Sequence, residues 1–144
     1  MNFYEFRERG NSGVDEATEE LAQSLIGAAI EVHKIVKPGM PENCYKLALS
    51  RELTLRGIPH QTEVSVPVIY KGERVGEGFI DILVGGKLIV ELKAVESLNE
   101  VHRAQVIAYL QATGLQLGLL INFNVLKLTQ GLKRVINTYD NLRA

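Results

Sequence analysis

The sequence predicts an α/β (α+β) domain in which one mixed central sheet is flanked by helices. Three observations lead to this fold class. Apolar residues recur at helical spacing over residues 15–56 and again over 99–114, and between these segments the period changes to two. A short apolar run follows at 117–123. The order α-α-β-β-β-α-β, followed by a tail, indicates a three-stranded meander, a helix and a further strand, with helices on both faces of one sheet.

Length and composition set limits on the class of protein. A chain of 144 residues is enough for one domain and too short for two full ones. Hydrophobic residues make up 46% and charged residues 23%, which excludes a disordered or collagen-like chain. The single cysteine, Cys44, excludes an internal disulfide and a multi-cysteine zinc site. We expect residues 1–14 to form a poorly structured N-terminal extension and residues 15–144 to form a single domain.

No apolar run approaches the length of a membrane span, and the N-terminal residues lack a signal-peptide pattern, so we expect a cytoplasmic protein without a membrane partner. Charge is unevenly distributed: residues 1–31 carry a net −5 and residues 101–144 a net +4. The basic C-terminal part could bind a polyanion, or the two parts could simply be solvated surfaces of opposite sign.

Two helices begin the predicted domain. The first covers about residues 15–36, where Ser12 followed by Asp15 resembles a capping box and the sequence Lys-Pro-Gly at 37–39 ends the pattern. The second covers about residues 41–56 and ends at Gly57.

The strands follow. Residues 60–70 alternate in period two, but Pro67 cannot donate to a ladder, so this strand is expected at an edge or with a bulge. After a turn at 71–74, strands at 78–84 and 87–95 are joined by the hairpin signal Gly85-Gly86.

The last part of the chain alternates helix and strand. A helix over 99–114 ends at a capping glycine, Gly114, and a buried strand follows at 117–123. Residues 132–138 fit either a final strand or part of a helix.

Charged residues inside two apolar strands are the main functional signal. Glu91 and Lys93 interrupt the run 88–95 two residues apart and therefore share a face, and Asp81 interrupts the preceding strand. Buried charges are costly unless they are paired or bind a metal. Two carboxylates suit a hard cation such as Mg²⁺, and a neighbouring lysine could orient water or stabilise phosphate charge. An internal salt bridge, or an edge strand with a wet face, is the structural alternative.

The hairpin between these strands supplies a geometric test. A two-residue loop at Gly85-Gly86 would pair Val84 with Lys87 and place Asp81 on the opposite face from Glu91. A shared site therefore requires a three-residue loop with glycine in the left-handed region, or a β-bulge beside Asp81.

A family resemblance extends these observations. The motif Gly39-x-x-Glu42-x-x-Tyr45 is followed, in order, by Asp81, by Glu91-Leu92-Lys93, and by Gln105 and Tyr109. Over about residues 20–138 the chain resembles the GxxExxY family, a branch of the PD-(D/E)XK nuclease superfamily. The resemblance implies a restriction-endonuclease-like αβββαβ core and a Mg²⁺-dependent nuclease site, with Mn²⁺ as a substitute.

The resemblance also implies roles for individual residues. Asp81 and Glu91 would hold the metal, Lys93 would be the catalytic lysine, and Glu42 would be an accessory acid. Gln105 and Tyr109 match a Gln-x-x-x-Tyr element and, four residues apart on a helix, share a face.

We therefore expect a Mg²⁺-dependent nuclease that hydrolyses phosphodiester bonds of nucleic acid, with DNA ahead of RNA and a homodimer as one compatible assembly. The alternatives are a non-catalytic nucleic-acid-binding or interaction protein that retains the nuclease fold, and a structural module in which Glu91 and Lys93 form a salt bridge.

Overall fold

A computed structural model describes residues 13–137. These form three helices, five strands and one short 3₁₀ turn. In chain order they are α1 (Glu16–Val36), α2 (Glu42–Leu55), β1 (His60–Tyr70), β2 (Glu73–Val84), β3 (Leu88–Lys93), α3 (Glu100–Thr113), β4 (Leu117–Asn122), the 3₁₀ turn (Leu128–Gly131) and β5 (Leu132–Ile136).

The five strands form one mixed sheet in the order β1-β2-β3-β4-β5. Only β3 and β4 pair in parallel, and α3 is the crossover that this parallel pairing requires. Helices α1 and α2 pack on one face, where they share a core with alternate residues of β3 and β4. Helix α3 packs on the other face against a smaller core. This arrangement confirms the predicted fold class.

Local chemistry explains where the helices begin and end. The Asp15 carboxylate accepts a hydrogen bond from Thr18 N at 2.7 Å and caps α1. At the start of α3, Asn99 and His102 form a reciprocal capping box. Gly114 ends α3 with φ 73°, a left-handed conformation that glycine adopts without steric cost.

The β1–β2 hairpin is longer than predicted. Strand β2 begins at Glu73, whereas the sequence indicated a start at residue 78. The additional residues are solvent-exposed, so they carry no alternating apolar pattern from which a strand could be predicted. Pro67 lies on β1, which is an edge strand, and a register shift follows between Val68 and Ile69.

Other boundaries also differ from the predictions. Strand β3 spans Leu88–Lys93 and is shorter than the predicted 87–95. Val95 lies beyond the strand, where its backbone binds the Asn122 side chain. The ambiguous segment near the C-terminus forms a strand, β5. Residues 1–12 and 138–144 lie outside the described residues, so the proposed N-terminal extension stays a prediction, although Val14 is buried. Within 13–137, no helix is long and apolar enough to cross a membrane.

The β2–β3 loop has the geometry that a shared site requires. Val84 pairs with Leu88, so the loop contains three residues. Its first two are Gly85 (φ 57°) and Gly86 (φ 68°), both left-handed. The same register, continued past Ile82 and Val90, places Asp81 opposite Glu91.

Candidate active site

Asp81 and Glu91 meet where the β2–β3 ladder ends. The last backbone pair is Ile82 with Val90. Beyond it, Asp81 N donates to Glu91 Oε1 at 3.0 Å, and Leu92 N donates to Asp81 Oδ2 at 2.8 Å. Each carboxylate therefore accepts a hydrogen bond from the opposite strand, in place of the backbone carbonyls that would continue the ladder. This exchange holds both carboxyl groups in fixed positions between the strands.

Strand β2 is irregular at Asp81. Ile80 packs with α3 in the smaller core, whereas Ile82 packs with α1 and α2 on the opposite face. Residues two apart on a regular strand point to the same face of the sheet. Ile80 and Ile82 point to opposite faces, so the regular alternation of β2 is interrupted at Asp81. On β1, Glu63 lies opposite Asp81 in register and has a positive φ of 52°. The irregularity therefore involves both strands.

Burial makes the carboxyl pair electrostatically unusual. The Glu91 residue is only 2% exposed. Burial first, and repulsion by the Asp81 carboxylate second, raise the pKa of Glu91 to about 8. Without a cation, Glu91 therefore carries a proton at neutral pH. A cation bound by the two carboxyl groups would replace this proton.

A second group of predicted residues lies on the α3 face. Lys93 Nζ donates to Gln105 Oε1 at 3.2 Å, and Gln105 Nε2 is 3.5 Å from the Tyr109 hydroxyl oxygen. That oxygen accepts a hydrogen bond from Phe79 N at 3.2 Å. Burial, followed by the nearby Glu91 carboxylate, raises the pKa of Tyr109, so its hydroxyl stays protonated.

Gly78 allows Tyr109 to reach β2. A Cβ atom at position 78 would lie 2.7 Å from the tyrosine hydroxyl oxygen, which is closer than van der Waals contact permits. A side chain at position 78 would therefore force the Tyr109 ring or the strand to move. From the sequence, Gly78 is expected to begin a strand, and nothing in one sequence shows that the Tyr109 ring on α3 packs against it.

The segment before α2 is fixed by Tyr45. Its hydroxyl donates to Lys37 O at 2.6 Å and accepts from Met40 N at 3.0 Å, and its ring stacks on Phe123 at 4.7 Å. Gly39, inside this loop, has φ 98°. The glycine and tyrosine of the Gly-x-x-Glu-x-x-Tyr motif are thus structural, and they set where α2 begins.

Glu42 is the predicted site residue at the start of α2. It is exposed in the first turn of α2, one helical turn before Lys46, and its negative charge is the last of the causes that raise the pKa of Lys46. The remaining five predicted residues form the two groups described above, Asp81 with Glu91 and Lys93 with Gln105 and Tyr109. The two groups interact electrostatically, because the Lys93 charge lowers the pKa of Glu91 and the Glu91 carboxylate raises the pKa of Tyr109.

Two residues at the site were missed from the sequence: Lys46 and Glu63. Lys46 Nζ hydrogen-bonds the Glu63 carboxylate and lies 3.7 Å from Asp81 Oδ1. A signal for Lys46 was present, because it follows Glu42 by four residues and so shares its helix face. Nothing in the sequence points to Glu63, because a glutamate at an exposed position of an edge strand is ordinary.

The donor chemistry fits a hard divalent cation. Within residues 13–137, no group of three or more His, Cys, Asp and Glu side chains is arranged to hold a metal. The predicted ligands are a pair, and a pair of carboxylates with water and substrate oxygens is a usual Mg²⁺ environment. The buried Glu91 carboxyl and the half-buried Asp81 carboxyl lie side by side, and together they would supply two oxygen ligands to such a cation.

Comparison with known proteins identifies the family. A search of curated proteins finds no significant match, and neither does a search of solved structures. A family model described as the PD-(D/E)XK nuclease superfamily matches residues 19–135, which cover the described helices and strands almost completely. The sheet order, the parallel β3–β4 pair and the match together lead to one conclusion: the chain belongs to the PD-(D/E)XK nuclease superfamily.

Proposed function

We propose that this protein is a divalent-cation-dependent nuclease of the GxxExxY branch, which hydrolyses phosphodiester bonds of nucleic acid at Asp81, Glu91 and Lys93. The observation that carries the proposal is the pairing of the Asp81 and Glu91 carboxyls at the end of the β2–β3 ladder, with Asp81 N donating to Glu91 at 3.0 Å. Membership in a nuclease superfamily supports the reaction class.

Asp81 and Glu91 would hold the cation, with Mg²⁺ as the expected ion and Mn²⁺ as a substitute. A cation bound there supplies positive charge to a phosphodiester oxygen and acidifies bound water. The protein prepares the position by fixing both carboxyls with backbone hydrogen bonds, so little side-chain freedom remains to be lost on binding.

Lys93 would orient the attacking water or stabilise negative charge on the phosphate. Its ammonium group is held by Gln105 at 3.2 Å, which in turn lies beside the Tyr109 hydroxyl. Helix α3 therefore positions the lysine. Glu42, at the start of α2, would be an accessory acidic residue whose negative charge acts on the Lys46 ammonium group.

The test is a cleavage assay on single- and double-stranded DNA and RNA, with Mg²⁺, Mn²⁺ or EDTA. We expect cation-dependent cleavage, and we expect Lys93→Met to lower the rate by about 100-fold or more, as the loss of an electrostatic catalytic group does. Lys87→Met is the matched control, because Lys87 pairs with Asp15 on the surface. Equal rates for the Lys93→Met variant and the wild type would contradict the proposal.

A second candidate, nucleic-acid binding without hydrolysis, is favoured by a cleft beside α3. The cleft measures about 300 Å³, and its lining includes the exposed side chains of Arg103 and Lys133. Binding that weakens steeply with salt, in the absence of cleavage, would select this candidate. DNA as the preferred substrate, a homodimer and a cytoplasmic location stay predictions.

A further inference from the structure

Lys46 is a fixed positive charge at the edge of the carboxyl pair. Its side chain is 18% exposed, and its ammonium group is paired with carboxylates from both β1 and β2. It is 3.7 Å from Asp81 Oδ1, which is an ion pair without a hydrogen bond, whereas it hydrogen-bonds Glu63 directly. Lys46 is therefore drawn away from Asp81 toward Glu63.

The backbone at Glu63 is strained. Three non-glycine residues in 13–137 have positive φ: Lys37, Glu63 and Lys71. Lys37 caps a helix and Lys71 lies in the hairpin turn, both common places for such a conformation. Glu63 instead lies within a strand whose flanking residues are regularly paired. Strain of this kind costs about 1–3 kcal/mol and clusters at functional sites.

We propose that Lys46 competes with the divalent cation for Asp81, and that Glu63 is a positioning residue that holds Lys46 aside. The inference rests on the proposed function, because it requires a cation at Asp81 and Glu91. Glu63 acts through Lys46 and does not contact the cation. Lys46 and Glu63 together thereby set the affinity of the site for its cation.

The physical argument is electrostatic. An ammonium group close to a divalent cation repels it, and the same group resting on Asp81 occupies an oxygen that the cation needs. A carboxylate that hydrogen-bonds the ammonium both neutralises it and keeps it at a distance. Loss of Glu63 would leave Asp81 as the nearest anionic partner of Lys46, since the ion pair at 3.7 Å is already formed.

The experiment is calorimetric titration of Mn²⁺ into four folded proteins: wild type, Glu63→Gln, Lys46→Met and the double variant. We expect Lys46→Met to bind Mn²⁺ about tenfold more tightly than wild type, because a repelling charge is removed. Glu63→Gln should weaken binding by about fivefold or more when Lys46 is present, and by less than about twofold when Lys46 is replaced.

The outcomes separate this inference from the proposed function. An equal Glu63→Gln effect in both backgrounds would show that Glu63 acts directly on the cation and would overturn the inference, as would unchanged or weaker Mn²⁺ binding by Lys46→Met. A wild type that binds no Mn²⁺ would overturn both this inference and the proposed cation site.

Two further variants serve as a charge control and as a substitute for Lys46→Met. Lys87→Met removes one positive charge from an exposed pair with Asp15, so it should leave Mn²⁺ affinity unchanged. Should Lys46→Met fail to fold by circular dichroism, Lys46→Gln removes the same charge with a polar side chain, and the same affinities are expected of it.

Discussion

The backbone nitrogen of Asp81 donates a hydrogen bond to the Glu91 carboxylate at 3.0 Å, across the point where β2 and β3 stop pairing. The reverse contact runs from Leu92 N to the Asp81 carboxylate at 2.8 Å. Two acidic groups are thus part of the sheet itself. Burial of Glu91 and its repulsion by Asp81 disfavour the ionised form of Glu91, and this has measurable consequences.

The first consequence is a dependence of stability on pH. The pKa of Glu91 is raised to about 8 in the folded protein, above its ordinary value of 4.5. A folded protein that binds a proton more tightly than the unfolded chain is favoured while that proton is bound. The contribution is therefore fully present below pH 4.5 and is lost as the pH rises through about 8. We expect the free energy of unfolding in EDTA to fall by a few kcal/mol across this window, as measured by urea unfolding.

The matched variant for this prediction is Glu91→Gln. Glutamine keeps an oxygen that can accept from Asp81 N but does not titrate, so its stability should change less with pH and should exceed that of wild type at pH 9. Glu96→Gln replaces an exposed carboxylate and should behave as wild type does. Parallel pH profiles for wild type and Glu91→Gln would refute the assignment of the raised pKa to Glu91.

Gly78 offers a second prediction. A methyl group there would lie 2.7 Å from the Tyr109 hydroxyl oxygen, so Gly78→Ala must displace the ring or the strand. We expect a loss of about 1–3 kcal/mol in the free energy of unfolding, together with lower cleavage activity because Tyr109 supports Gln105 and Lys93. Gly76→Ala on the same strand is the control, since no atom lies within 4 Å of its Cβ position. Equal stability of the two variants would show that the contact is not tight.

Tyr45 offers a third. Tyr45→Phe removes the hydroxyl that joins Lys37 O and Met40 N but keeps the ring that stacks on Phe123. We expect a loss of about 1 kcal/mol in thermal or urea unfolding, because water can replace only part of these hydrogen bonds. Tyr70→Phe, at an exposed ring, should change stability little. A loss no larger for Tyr45→Phe than for Tyr70→Phe would mean that the hydroxyl does not hold the loop.

Much of this architecture could be predicted from local sequence. The helical spacing over 15–36 and the apolar run at 117–123 indicate α1 and β4, because burial of one face or of both faces leaves a direct trace in the residue pattern. The interruption of apolar strands by Asp81, Glu91 and Lys93 gave the location of the candidate site in the same way. Gly85-Gly86 indicated the hairpin but could not decide between two and three loop residues, on which the relative faces of Asp81 and Glu91 depend.

Long-range features could not be predicted. Glu63 is exposed and lies on an edge strand, so its neighbours in sequence say nothing about Lys46, which comes from a helix 17 positions earlier. The first half of β2 was missed because exposed strand residues face no selection for apolar alternation. These features depend on how elements pack against one another, and a single sequence records packing only where it buries apolar residues.

The last prediction links cation binding to proton release. Because Glu91 carries a proton at neutral pH, with its pKa near 8, a cation that takes both carboxylates must displace that proton. We expect roughly one proton released per Mg²⁺ or Mn²⁺ at pH 6.5, and almost none at pH 9.5, where the carboxyl is already ionised. Calorimetry in buffers of different ionisation enthalpy measures this number directly, and cation affinity should rise between pH 6 and 8. A binding enthalpy that is independent of the buffer at pH 6.5 would show that the cation does not bind at Glu91.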